Sequence, residues 1–320
     1  MRPVRSALIA GVAVGALVLA GAVPAVASSS DADPDAVASA VAEAAPTELR
    51  ALPVESIGDA LSASFTEGGG VELSIAAADG ISFAAADGQS GATISLPGAA
   101  RLGDAVVSED GTVTYPGDAQ VPSVNVSAAE DATRISTVIT DASQTEAFDY
   151  DFGAGATVEI QDDGSALVLS NETREEGVEA IIAAIDAPWA VDASGASVET
   201  RYVASGSVLT QVVEHRDAAA SYPVVADPTF DNPNIIQYRV RFNRAETAAI
   251  AAGGWGGVVG SFSCGAMAAV CALATGTLAY QAGVAQNSKP KKCVQVTATQ
   301  PIVIPGMYWW VDTYSGGPCR

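Results

Sequence analysis

The sequence predicts a mostly β protein: an antiparallel β-rich unit followed by a small α+β C-terminal unit with a helical hairpin and terminal strands. Three observations predict it. Short apolar/polar alternations recur from Val71 to Phe242, with Asp-Gly pairs between several of them. The stretch Thr247–Ser288 carries no charge and is dominated by Ala and Gly. Two further alternating runs follow it, and all four cysteines lie in this last part. Alternation with period two marks half-buried strands, and Asp-Gly suits hairpin turns because its residues tolerate positive φ.

The chain begins with Arg2 and Arg5, then an uncharged apolar run from Ala7 to Ala20, then Ala25-Val26-Ala27 before Ser28. A basic start, a short apolar middle and an A-x-A-like site form a secretory signal peptide. The run is shorter than the ~20 apolar residues a spanning helix needs. Cleavage is therefore expected between Ala27 and Ser28, leaving a secreted, extracellular chain.

Four segments are expected: the signal peptide at 1–27, a flexible leader at 28–48, an acidic antiparallel β-rich domain at 49–230, and a disulfide-stapled α+β domain at 234–320. The leader is rich in Ser, Asp, Ala and Pro, with a weak helical pattern over Ala36–Ala45. Leu52, Val54, Ile57, Leu61 and Phe65 are spaced loosely as in a helix. Strands are expected from Val71 to Ala226, among them Ser123–Ala128, Thr133–Thr140, Ala156–Gln161 and Ser207–Glu214. Glu175–Ile185 fits either a short helix or a buried strand. Three prolines between Pro223 and Pro233 interrupt pairing and mark the boundary.

The formal net charge of −22 is distributed unevenly. Ser28–Gln237 holds 35 Asp and Glu against 6 Arg and no Lys, a balance of −29. Tyr238–Arg320 holds 7 Lys and Arg against Glu246 and Asp312, a balance of +5. Such asymmetry suggests separate units with separate partners. The acidic unit should repel nucleic acid and anionic polymers. The basic unit either favours an anionic surface or rests against the acidic one.

In the last unit, Ile235–Phe242 is a strand, and Asn243 with Glu246 forms a capping-box variant. Helices are expected at about Ala245–Ala252 and Gly265–Gln286, since the glycines at 253, 254, 256 and 257 break a continuous helix. Strands at Lys292–Gln300 and Gly306–Tyr314 close the chain.

Several segments resemble uncharacterised secreted proteins of actinobacteria: Ala187-Pro188-Trp189-Ala190-Val191-Asp192-Ala193-Ser194-Gly195, Tyr222 to Thr229, Phe242 to Thr247, Lys292-Cys293-Val294, and Tyr314 to Cys319. The resemblance covers roughly the last 140 residues, and more weakly the β unit before them. It implies secretion and brings no catalytic residues.

Cys264, Cys271, Cys293 and Cys319 form an even set in an exported chain, which argues for disulfides. The pairing Cys264–Cys271 with Cys293–Cys319 staples the terminal strands. It needs a helix break near Gly265, because seven helical residues span about 10 Å against a bridging limit of about 7 Å. Cys264–Cys293 with Cys271–Cys319 is the alternative. The spacings lack a zinc signature, and no cofactor motif is present. His215, the sole histidine, reads as a solvated residue at a strand end. Asp162-Asp163 and Glu109-Asp110 flank turns, and Glu175-Glu176 lies on a polar stretch. Of Trp309 and Trp310, one should face the core and the other outward.

No catalytic or metal-binding residues are therefore assigned. The favoured function is a secreted, non-enzymatic binding or interaction protein, with the cell envelope or another protein as partner and no nucleic acid. The alternative is a precursor of a membrane-active, bacteriocin-like C-terminal peptide, in which the C-terminal unit contacts a membrane. A carboxylate-dependent hydrolase is the third.

Overall fold

The computed structural model describes residues 32–66, 68–84, 90–130, 132–172, 177–216, 220–231, 237–254, 267–299 and 308–319. The signal segment, including Ala27 and Ser28, lies outside them, as do Cys264, Glu175 and Glu176. Helix α1, Pro34–Ala44, opens the described chain. Asp33 caps it by accepting a hydrogen bond from the Asp35 amide, and Pro34 occupies a first-turn position that needs no donor. Val37 and Val41 bury against Val138 and Val225. Residues 34–44, within the segment assigned to a flexible leader, are thus a docked helix.

An antiparallel meander follows: β1 Glu55–Ile57, β2 Ala60–Ser64, β3 Gly70–Ser74, β4 Ile81–Ala84 and β5 Ser90–Ile94. The helical spacing expected over Leu49–Phe65 is wrong. Gly58, at φ 63°, turns the chain so that Glu55 pairs with Ser62. Leu61, Ala63 and Phe65 then bury with period two.

The strands continue as β6 Val106–Val107, β7 Val113–Tyr115, β8 Ser123–Ala128, β9 Ala132–Ile139, β10 Ala147–Asp151, β11 Ala156–Ile160, β12 Ala166–Ser170 and β13 Val178–Ile185. Next come β14 Ala190–Asp192, β15 Thr200–Ser205, β16 Val208–Val213, β17 Val224–Ala226, β18 Thr229–Asp231 and β19 Gln237–Arg241. Helices α2 Arg244–Ala251, α3 Ala268–Leu273 and α4 Thr275–Asn287 precede β20 Cys293–Thr299 and β21 Trp309–Tyr314. The molecule is mostly β with antiparallel sheets, as expected. The ambiguous segment before Ile185 is strand β13. It pairs with β12 along one edge and with β18 and β19 along the other.

The proline-rich segment also carries ladder strands. Val224–Ala226 and Thr229–Asp231 both pair with β9. Pro223 and Pro228 stand immediately before these strands, where no N–H is required. The two sequence-assigned units thus share one sheet: β13 pairs with β19, with Ala180 opposite Tyr238. Two apolar clusters nevertheless remain distinct. One gathers Leu73, Tyr115, Ile135, Tyr150 and Phe230. The other gathers Tyr238, Phe242, Ile250, Leu278, Val296 and Val311 beneath the helices.

The capping box forms as expected. Asn243 Oδ1 accepts from the Glu246 amide at 3.0 Å, and Glu246 Oε2 accepts from the Asn243 amide at 2.7 Å. The second expected helix is divided at Ala274 into α3 and α4.

Cys293 and Cys319 form a disulfide with a Cα separation of 5.6 Å, which excludes the Cys264–Cys293 alternative. Cys271 is also disulfide-bonded. The Cys293–Cys319 bridge closes a separation of 26 residues. Replacing both cysteines by alanine should therefore lower the unfolding free energy by about 3 kcal/mol, because the open loop regains unfolded-state entropy. Urea titration of the double variant measures this; a loss below about 1 kcal/mol refutes it.

Candidate functional site: a polar cleft on the terminal sheet

Strand β21 is the edge of the largest sheet. Trp309 and Val311 pack into the cluster beneath the helices. Alternation places Tyr308, Trp310 and Asp312 on the opposite face. Tyr308 is 75% exposed and Trp310 38%, which matches the expected opposition of the two tryptophans. Tyr308 is held at the strand end by its carbonyl, which accepts from the Thr299 amide at 2.8 Å.

Beside this edge lies a cleft of about 410 Å³. The β11–β12 turn forms one wall with Glu159, Asp162 and Asp163; Gln295, Asp312 and Ser315 contribute to the other. The turn is built locally. Gly164 adopts φ 88°, and its amide donates to the Gln161 carbonyl. Asp163 accepts from the Ser165 amide and hydroxyl, which holds its carboxyl below the usual range. Asp162 instead faces the terminal strands. It accepts from the Ser315 hydroxyl and, at 3.2 Å, from the Lys292 ammonium, and both contacts lower its pKa. The Cys293–Cys319 bridge fixes the chain just beyond Ser315.

A buried charge network adjoins the cleft. Arg239 Nε donates to Glu179 at 2.8 Å, and Arg239 is 1% exposed. Arg241 Nη1 donates to Glu159 at 2.8 Å, and its Nη2 pairs with Glu179. Gly317, at φ 45°, lets Arg241 approach; a Cβ there would stand 3.1 Å from Nη1. The Arg241 guanidinium also lies over the Tyr314 ring, 5.6 Å from its centroid. Burial pushes the Tyr314 hydroxyl up to about 12. Three basic residues of the last unit, Arg239, Arg241 and Lys292, thus meet carboxylates of the acidic unit. Of the two expectations for the charge asymmetry, contact with the acidic unit is realised at these positions.

Asp312 stands apart. Burial raises its carboxyl pKa, partly offset by a hydrogen bond from the Trp310 side chain. In register across the sheet, Asp312 opposes Gln295, which opposes Arg241. Gln295 Oε1 and Arg241 Nε are buried and find no hydrogen-bond partner among the described residues.

The other residues singled out from sequence serve structure. His215 is fully buried, contrary to a solvated strand end. Its Nε2 faces the Thr145 carbonyl at 3.2 Å and its Nδ1 the Tyr222 hydroxyl at 2.8 Å. The carbonyl only accepts, so Nε2 carries a proton. The next strand-end residues supplied the misleading signal, because Glu214 and Arg216 pair outward with Arg201 and Glu146.

The two longest motifs of the resemblance clasp one another. Strand β14 pairs with β17, and the Trp189 amide donates to Asp227 Oδ1 at 3.1 Å. Asp192 accepts from the Ser194 hydroxyl and from the Ser221, Ala196 and Ser194 amides, which draws it down to about 2. Arg134 lies over the Trp189 ring and donates to Thr229, whose hydroxyl donates to Asp227 Oδ2 at 2.9 Å. Burial lifts Asp227 to about 7.

Among the described residues, no group of three or more His, Cys, Asp or Glu is placed to hold a metal ion. No helix among them is long and apolar enough to cross a membrane. No family model and no curated protein matches the chain. Among solved structures it is similar to one described as the structure of the gh92 family glycosyl hydrolase ccman5, at 12% identity and a TM-score of 0.23. That likeness covers 57% of this chain and 30% of the other, and it carries no argument about function.

Proposed function

We propose that this is a secreted binding protein whose contact surface is the cleft face of the terminal sheet. One observation carries the reading: exposed Trp310 stands on the same face of β21 as Asp312, which lines the cleft, and exposed Tyr308 immediately precedes the strand. Tyr and Trp dominate contact energies because they bury much area with few rotors and keep a polar tip. A concave polar site beside such anchors is the usual form of a recognition surface. The acidic unit supplies a rigid frame, and the disulfide and the Asp162 contacts hold the cleft rim. The mature chain should cosediment with isolated bacterial envelopes or with a purified envelope protein, and Trp310→Ala should weaken this without lowering the melting temperature. Release of soluble fragments from the envelope would replace binding by hydrolysis.

A second reading is release of a membrane-active C-terminal peptide. Leu273, Tyr280 and Val284 favour it, being 56%, 71% and 43% exposed around α4. Leakage of anionic liposomes by residues 234–320, with none from the intact chain, is its expected signature. Release would have to strip β19 from β13 and break the Arg239 and Arg241 pairs.

A further inference from the structure

The geometry points to a neutral glycan chain as the ligand of this face, an assignment that rests on the binding reading above. The cleft is rich in acceptors: two of its carboxylates, Glu159 and Asp162, are paired with cations from within, and two, Asp163 and Asp312, are oriented by neutral donors. Glu159 is held by Arg239 and Arg241, and Asp162 by Lys292 and Ser315. Asp163 is held by Ser165, and Asp312 by Trp310. Each carboxylate has about four lone-pair sites, so these contacts leave fixed, oriented acceptors on all four side chains. Such acceptors call for many O–H donors on an uncharged ligand.

Gln295 Oε1 adds to this demand. It is a buried acceptor that no donor among the described residues satisfies, on a side chain that lines the cleft. An unmade buried hydrogen bond is costly, and a turn of the Gln295 side chain toward the cleft would let a ligand hydroxyl supply the missing donor. The strand edge supplies the complementary apolar element. Tyr308 and Trp310 sit two residues apart on one face, about 7 Å along the strand. The C–H face of a pyranose ring lies flat on an aromatic ring through dispersion and area burial. Successive sugar rings would meet Tyr308 and Trp310, and the next would reach Asp312 and Gln295. The four carboxylates that line the cleft outnumber its one lysine and disfavour anionic polymers, and the class proposed is therefore neutral chains.

The test uses the full mature chain. Binding is measured by affinity electrophoresis and calorimetry with four neutral glycans (soluble chitin oligosaccharides, cello-oligosaccharides, mannan and galactan) and with poly-lysine as a cationic comparison. At least one glycan should bind, and the double variant Tyr308→Ala/Trp310→Ala should weaken it about tenfold or more at an unchanged melting temperature. Asp312→Asn should weaken the same glycan, whereas Tyr280→Ala on α4 should not. Glycan binding that survives the double variant overturns the assignment. If no glycan binds but poly-lysine does, and the double variant loses it, the face is a contact surface with a cationic ligand: the glycan inference fails and the binding reading stands. If none of the five probes binds, the glycan inference fails; if the envelope fraction is also ignored, the binding reading fails with it.

Discussion

Glu179→Ala should lower the unfolding free energy by about 3 kcal/mol, the low end of the range for removing one member of a buried pair. Arg239 is 1% exposed, and its closest carboxylate is Glu179. Glu159, at 3.5 Å, is a poor substitute, and Arg239 Nη1 already lacks a partner among the described residues. Removing Glu179 therefore strands a guanidinium in the sheet, which costs more than the pair itself gains. Glu179 is 29% exposed at its side chain, which keeps the loss from the upper end of the range. The double variant Glu179→Leu/Arg239→Met should recover most of the loss, because two apolar side chains leave no buried charge unmatched. Urea unfolding of the two variants decides it. A double variant no more stable than Glu179→Ala would show that packing, and not stranded charge, governs the site.

The second large effect concerns pH. Asp227 titrates at about 7 when folded, against an ordinary value of 3.8. Burial is the chief cause; the Trp189 amide, the Thr229 hydroxyl and the Arg134 charge pull the other way, while the charge of Asp186 adds to the rise. The folded state therefore holds this proton over a range in which the unfolded chain has lost it. The stabilisation is complete below about pH 4, declines as pH rises, and levels off above about 7. The total is on the order of 4 kcal/mol. Other groups titrate over the same range, so the measurement is a difference. Unfolding free energies of the wild type and Asp227→Asn, taken at several values from pH 4.5 to 8, should diverge, with the wild type losing ground as pH rises. Parallel curves would show that Asp227 ionises freely in the fold.

The strands were legible because each is a local pattern. Ser123–Ala128 is read from its own residues, and so are the Asp-Gly turns, whose glycines at 80, 111 and 164 take positive φ. Where apolar spacing satisfied two periods, as over Leu52–Phe65, the tertiary frame decided and the helix reading lost. Residues 34–44 resembled a leader because only a few small apolar side chains, Val37 and Val41 among them, hold the helix down. His215 looked solvated because its neighbours are charged, whereas its partners Thr145 and Tyr222 approach from other parts of the chain.

The candidate site was half legible. The opposed facing of Trp309 and Trp310 follows from strand alternation alone. The cleft does not, because Asp162 and Lys292 are 130 residues apart and meet only through the order of strands β11, β12, β13, β19 and β20. The charge asymmetry left contact between the two parts of the chain as one of two alternatives, and only the register assigns Glu159 and Glu179 to Arg239 and Arg241.

The pairing of β13 with β19 also sets a schedule. A ribosome delivers β13 some fifty residues before its outer neighbour, and the tail that covers the helices arrives later still. During that interval β13 offers bare amides and carbonyls along Val178–Ile181 to any passing strand. A chain truncated before Gln237 would keep that edge open for good. Its hazard would be self-association, whatever remained of the fold behind it.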